Sequence, residues 1–125
     1  MKYHLIIGFG KWSKKISNFL KKKKFFSKIY IKTRDYYFKL GSKNKIYDKE
    51  FSKIQKKIDS VHICTPVKSH FFYIKKFFRI KKIIVEKPFV QNLSQLKKVQ
   101  DKFNHKNYLL VNYTDLFNPL LSKLQ

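Results

Sequence analysis

Alanine is absent from this 125-residue chain, and Arg34 and Arg79 are its only arginines, although Lys and Arg together number 30. Lysine in place of arginine, no alanine, and abundant Ile, Phe, Tyr and Asn are the residue usage of AT-rich codons. The formal net charge of +23 therefore reads first as coding bias. Dense positive charge does attract phosphate backbones, and the run from Lys21 to Phe26 sets four lysines beside two aromatics that could stack on bases. The same run falls where a helix should end, a position at which the helix dipole favours cations. A basic nucleic-acid-binding module is thus the alternative, and a nucleic-acid partner is not expected.

Cysteine is equally scarce. Cys64 is the only one, which excludes an intramolecular disulfide and a thiolate metal cluster. A reducing cytoplasm is the expected setting, with no metal site. Three glycines and three prolines exclude collagen-like and linker-rich chains. No apolar run approaches the roughly 20 residues that cross a bilayer, and Met1–Ile7 is too short for a signal-peptide core, so neither a membrane span nor secretion is expected.

What is present is enough for a core. Hydrophobic residues make up 43% of the chain, sufficient to resist disorder despite the charge, and a domain of this length can bury roughly two-thirds of its unfolded surface. Strand-like and helix-like segments alternate, the pattern of an α/β domain with a parallel sheet covered by helices. Strands are predicted at Tyr3–Ile7, Ser27–Thr33, Lys45–Tyr47, Val61–Cys64, Lys82–Glu86 and Tyr108–Val111. Helices are predicted at Trp12–Lys22, with Trp12, Ile16, Phe19 and Leu20 inward, and at Lys49–Lys57. A third should be N-capped by Ser69 and run to Ile80. A fourth should be capped by Asn92 or Ser94 and extend to Phe103, with Leu93, Leu96, Val99 and Phe103 inward. The segment Arg34–Lys45 allows a short helix. Asn118–Pro119 reads as an N-cap followed by proline at the first helical position.

Between the first strand and first helix lies Gly8-Phe9-Gly10-Lys11-Trp12-Ser13, a GxGxxS form of the dinucleotide-binding turn. Gly8 permits the tight turn and Gly10 lets the backbone approach a pyrophosphate. The helix start offers free N–H groups to that anion, and Ser13 is a small residue where the helix must pass close to the sheet. Gly8, Phe9, Gly10, Lys11 and Trp12 are therefore candidate cofactor-binding residues. At the end of the second strand an acidic residue would bind a ribose 2′-hydroxyl and an arginine a 2′-phosphate. Thr33-Arg34-Asp35 stands there. Arg34 favours NADP, whereas Asp35, if turned inward, would favour NAD.

Later in the chain, Ile63-Cys64-Thr65-Pro66-Val67-Lys68-Ser69-His70 is followed by Ile84-Val85-Glu86-Lys87-Pro88-Phe89. A strand ending in Thr-Pro with a histidine four residues on, then a strand ending in Glu-Lys-Pro, resembles the oxidoreductases of the glucose-fructose oxidoreductase and inositol dehydrogenase family. The resemblance extends from Tyr3 to about Pro119. It implies a doubly wound, Rossmann-type sheet. It also implies an NAD(P)-dependent oxidoreductase acting, in complete form, on a sugar, cyclitol or nucleotide-sugar alcohol. In that family the Thr-Pro turn borders the cofactor, the glutamate bonds the nicotinamide ribose, and the lysine reaches the reacting hydroxyl or carbonyl. Carried across, the cofactor-binding set gains Cys64, Thr65, Pro66, His70, Glu86, Lys87 and Asn112, with Lys87 catalytic and the Lys87–Pro88 bond expected cis. A lysine beside a positive ring gives up its proton more readily, which suits a proton shuttle. His70 admits a packing role as readily as a binding one.

Family members continue well beyond this length into a substrate domain. Residues 1–112 are therefore expected to form the dinucleotide-binding domain, and 113–125 the start of a crossover into a truncated second domain. Leu120, Leu121 and Leu124 would then sit on an uncovered edge, making a homo-oligomer plausible. A catalytically silent cofactor-binding or scaffold role is the third reading.

Overall fold

The computed structural model describes residues 1–22, 27–103 and 107–112. Leu5, Ile6 and Ile7 are all fully buried, which requires both faces of their strand to be covered, as in the interior of a parallel sheet. That strand is β1 (Lys2–Ile7). In chain order there follow α1 (Lys11–Lys22), β2 (Ser27–Lys32), β3 (Tyr37–Lys39), β4 (Lys45–Ile46), α2 (Asp48–Gln55), β5 (Ser60–Ile63), α3 (Val67–Phe77), β6 (Lys82–Glu86), α4 (Leu93–Gln100) and β7 (Tyr108–Asn112). They form one seven-stranded sheet in the order β4-β3-β2-β1-β5-β6-β7. The five strands from β2 to β7 in that order run parallel, and β3 and β4 form an antiparallel edge. The α/β, Rossmann-type reading holds.

Strand alternation divides the core in two. Leu5, Ile7, Val61, Ile63, Ile83 and Val85 face the larger cluster with Phe51, Ile74, Phe77 and Val99 of the helices α2, α3 and α4. Ile6, Ile29 and Ile31 face the other way, against Ile16 and Leu20 of α1. Of the described helices only α1 packs on this second face, over β1 and β2. Beyond it, His62, Ile84 and Asn112 line a groove with Trp12 and Phe19. Phe19, expected inward, stands exposed at its rim.

Three local expectations are corrected. Arg34–Lys45 contains no helix: Tyr37 and Phe38 point to opposite faces of a strand, and Gly41 turns the chain at φ +89°, where glycine carries no Cβ penalty. Buried Tyr37 stacks on Phe51 with ring centroids 3.7 Å apart, from a strand paired with β2. Helix α3 starts at Val67, two residues before Ser69, because Pro66 already holds the extended conformation of an N-cap (φ −60°, ψ 149°). Ser69 instead lies in the first turn, its hydroxyl 2.7 Å from Thr65 Oγ1. Helix α4 is capped by Asn92, whose side chain accepts from Gln95 N at 3.0 Å, and it ends at Gln100; Leu93, expected inward, is 81% exposed. Asn118–Pro119 and Leu120, Leu121 and Leu124 lie outside the described residues.

Candidate functional site

The sheet order fixes where a ligand can enter. From β1 the chain passes out to β2 on one side and later to β5 on the other, so the connections leaving β1 and β5 diverge and open a crevice at the carboxyl edge. Three segments line it: Gly8 and Phe9 after β1, Lys32, Thr33 and Arg34 after β2, and Thr65, Pro66, Lys68, Ser69 and Tyr73 after β5. The cavity they enclose is about 570 Å³.

Gly8 and Gly10 do different things in the first turn. Gly8 sits at φ +100°, its N–H donates to Lys32 O at 2.9 Å, and a Cβ there would lie 2.9 Å from the Cys64 carbonyl oxygen. It is required by the close approach of β5. Around Gly10 no heavy atom lies within 4 Å of where a Cβ would be. Nothing in the fold demands glycine at that position, and the space above it is open. Ser13, fully buried, hydrogen-bonds Gly10 O at 2.8 Å, so the small residue does sit where α1 meets the sheet. Phe9 is half exposed, edge-on to Phe38 at 5.5 Å.

The second segment is closed by Thr33. Its N–H and hydroxyl both donate to Tyr36 O, at 2.9 and 2.8 Å, and its Oγ1 accepts from Tyr36 N. Arg34 and Asp35 project from this loop into solvent, and Arg34 but not Asp35 borders the cavity. Below them Lys32 is only 6% exposed. Its Nζ donates to Arg34 O at 3.1 Å and lies 4.6 Å from the centroid of Tyr37.

At the far end of the edge, Asn112 Nδ2 donates to Glu86 Oε1 at 2.7 Å, a pairing set by the parallel register of β6 and β7. The Lys87–Pro88 peptide bond is cis, as the family resemblance implies, and Lys87 is exposed. Burial, then the charge of Glu86, pushes the Cys64 thiol up to about 12, so it is held as a neutral thiol. His70, 1% exposed, lies behind the crevice with Nε2 2.6 Å from Thr65 O and Nδ1 3.0 Å from Pro88 O. It ties the Thr-Pro turn to the Lys-Pro turn.

Of the residues expected from sequence, the structure brings Gly8, Phe9, Thr33, Arg34, Thr65 and Pro66 to one cavity, with Gly10 and Lys11 on the adjoining turn. Trp12 and Asn112 line the groove on the α1 side instead. Cys64, His70, Glu86 and Lys87 are not among the cavity walls. Sequence reasoning missed Lys32, Lys68, Ser69 and Tyr73. Lysine's abundance hid the first two, and the displaced start of α3 hid the others. Among the described residues no group of three or more His, Cys, Asp or Glu is placed to hold a metal ion, and no helix is long and apolar enough to cross a membrane.

Residues 4–113 match the oxidoreductase family with an NAD-binding Rossmann fold that includes glucose-fructose oxidoreductase, inositol dehydrogenase and MocA. The chain belongs to this family. Its fold is also that of solved structures at low sequence identity. One is a probable oxidoreductase, YhhX, with 23% identity and a TM-score of 0.73, matched over 99% of this chain and 39% of the other. Another is the UDP-N-acetylglucosamine 3-dehydrogenase GnnA from Acidithiobacillus ferrooxidans, with 13% identity, TM-score 0.71, 98% of this chain and 41% of the other. A third is the apo scyllo-inositol dehydrogenase from Lactobacillus casei, with 13% identity, TM-score 0.63, 99% and 40%. The chain thus spans about two-fifths of the length of these structures. No curated protein sequence matches it.

Proposed function

We propose that residues 1–112 form the dinucleotide-binding unit of an NAD(P)-dependent oxidoreductase whose complete form acts on a sugar, cyclitol or nucleotide-sugar alcohol. The observation that carries the cofactor reading is the open space at Gly10 beside a cavity whose charged walls, Lys32, Arg34 and Lys68, are all cationic. A dinucleotide brings a pyrophosphate that needs close backbone approach, and the N-terminal turns of α1 and α3 contain no acidic residue to repel it. Gly8, Phe9, Gly10 and Lys11 would hold the pyrophosphate, and Arg34 with Thr65 and Pro66 would border the adenosine. Glu86, oriented by Asn112, would take the nicotinamide ribose. When bound, nicotinamide supplies hydride transfer. Lys87 would then meet the reacting hydroxyl or carbonyl and carry its proton. The substrate classes are those acted on by the inositol and nucleotide-sugar dehydrogenases among the structural relatives.

NADP is the favoured cofactor, because Arg34 and not Asp35 borders the cavity. Arg34→Ala should lower NADP affinity about tenfold, or roughly 1.4 kcal/mol, with NAD affinity unchanged. Calorimetric titration of both cofactors checks this. Equal losses for NADP and NAD would reject Arg34 as the discriminating residue.

A further inference from the structure

Among the described residues, Lys32 is a buried cation with no carboxylate at salt-bridge distance. The residue is 6% exposed, and burying an ammonium group is costly unless it is paired. Its bonds are a hydrogen bond to Arg34 O and a cation–π contact with Tyr37. Asp48, the acid whose charge it feels, pairs instead with Lys76 at 3.5 Å and with the Tyr37 hydroxyl at 3.0 Å. An ammonium has three N–H donors; one serves Arg34 O and another side of the group faces Tyr37, which leaves room for a ligand oxygen, and the residue forms part of the cavity wall below Arg34. Lys68 approaches the same cavity from the segment after β5, and among the described residues no carboxylate lines it.

We infer that Lys32 is a specificity-determining residue that selects a phosphomonoester on the adenosine ribose, acting from the buried side of the cavity while Arg34 acts from the exposed side. This rests on the cofactor reading above and adds a residue to it. The two cations differ in kind. Arg34, solvated, offers an interaction that salt screens. Lys32 is held by Tyr37 and by the loop it supports, so its charge is preorganised in a poorly hydrated wall where an anion gains more from it. An unphosphorylated ribose brings no anion to this ammonium, and that difference is the source of selection.

The test uses the whole chain and two pairs of probes, 2′,5′-ADP against 5′-AMP and NADP against NAD, titrated by calorimetry. Wild type should prefer the 2′-phosphorylated member of each pair by about thirtyfold or more, and Lys32→Met should lose most of that preference while 5′-AMP and NAD affinities stay within twofold. Arg34→Ala should retain a severalfold preference, the part due to Lys32. A folded Lys32→Met protein with the wild-type preference would overturn the inference. Should that variant not fold, Arg34→Ala decides alone, since complete loss of preference there leaves Lys32 no role. Wild type that binds 5′-AMP and NAD as well as their phosphorylated partners also overturns it, with the cofactor reading intact. Folded wild type that binds none of the four removes both. Inorganic phosphate, run as a competitor, should displace 2′,5′-ADP far more weakly than 2′,5′-ADP displaces itself; equal competition would mean a simple anion site and would reject the ribose phosphate.

Discussion

Two glycines two residues apart carry separate roles, and substitution separates them. Gly8→Ala places a methyl against the Cys64 carbonyl at a positive φ, so it should destabilise the fold by about 1–3 kcal/mol, read as a lower urea midpoint. Gly10 meets no such obstacle, and a side chain there should leave the urea midpoint where it is. The titrating residues make a second prediction. Burial, then the neighbouring His4, lowers His62 to about 4, and burial also lowers His4. The ring of His4 bonds Ser60 Oγ at 2.7 Å on the sheet face that α1 leaves open. A histidine depressed in the fold is neutral there and protonates more readily unfolded. Its stabilisation is complete above pH 6.5 and is lost as pH falls from 6.5 towards 4, by about 2–3 kcal/mol for His62. Urea midpoints at pH 7 and pH 4.5 should differ by less in His62→Leu than in wild type. An unchanged difference would place the acid sensitivity elsewhere.

Among the elements, periodicity located those whose pattern is unambiguous. Leu5-Ile6-Ile7 has no polar alternation because both of its faces are covered, and Ile29 and Ile31 share a face as their spacing requires. The antiparallel edge was not legible for a physical reason. Tyr36, Tyr37, Phe38 and Leu40 are apolar in succession, so neither a period of 2 nor one of 3.6 emerges. What chose the strand was tertiary, the stacking of Tyr37 on Phe51 and its hydroxyl on Asp48. Backbone geometry was legible where a motif fixes it, as at Gly8 and Lys87–Pro88. Where function depends on one lysine among many, as at Lys32, only its burial distinguishes it. His70, whose sequence admitted packing or binding, is a tie between α3 and the turn after β6. His70→Ala removes a buried ring and takes it from the two backbone carbonyls it faces, and should cost about 2–4 kcal/mol by urea unfolding. A loss below 1 kcal/mol would contradict that role.

For the molecule as a whole, topology decides more than charge. The net charge is +23, whereas the cavity lies where the sheet order reverses direction from β1, between the connections that carry Gly8, Arg34 and Thr65. Membership of the NAD-binding oxidoreductase family and the basic walls of that cavity lead to the same ligand class. The most direct measurement is calorimetric titration of the folded chain with NADP and NAD, beside Gly10→Val. Wild type should bind at least one of them with a dissociation constant below millimolar, and Gly10→Val, with an unchanged melting temperature, should lose that binding by tenfold or more. No binding of either dinucleotide to folded wild type, or equal binding by Gly10→Val, would contradict the account.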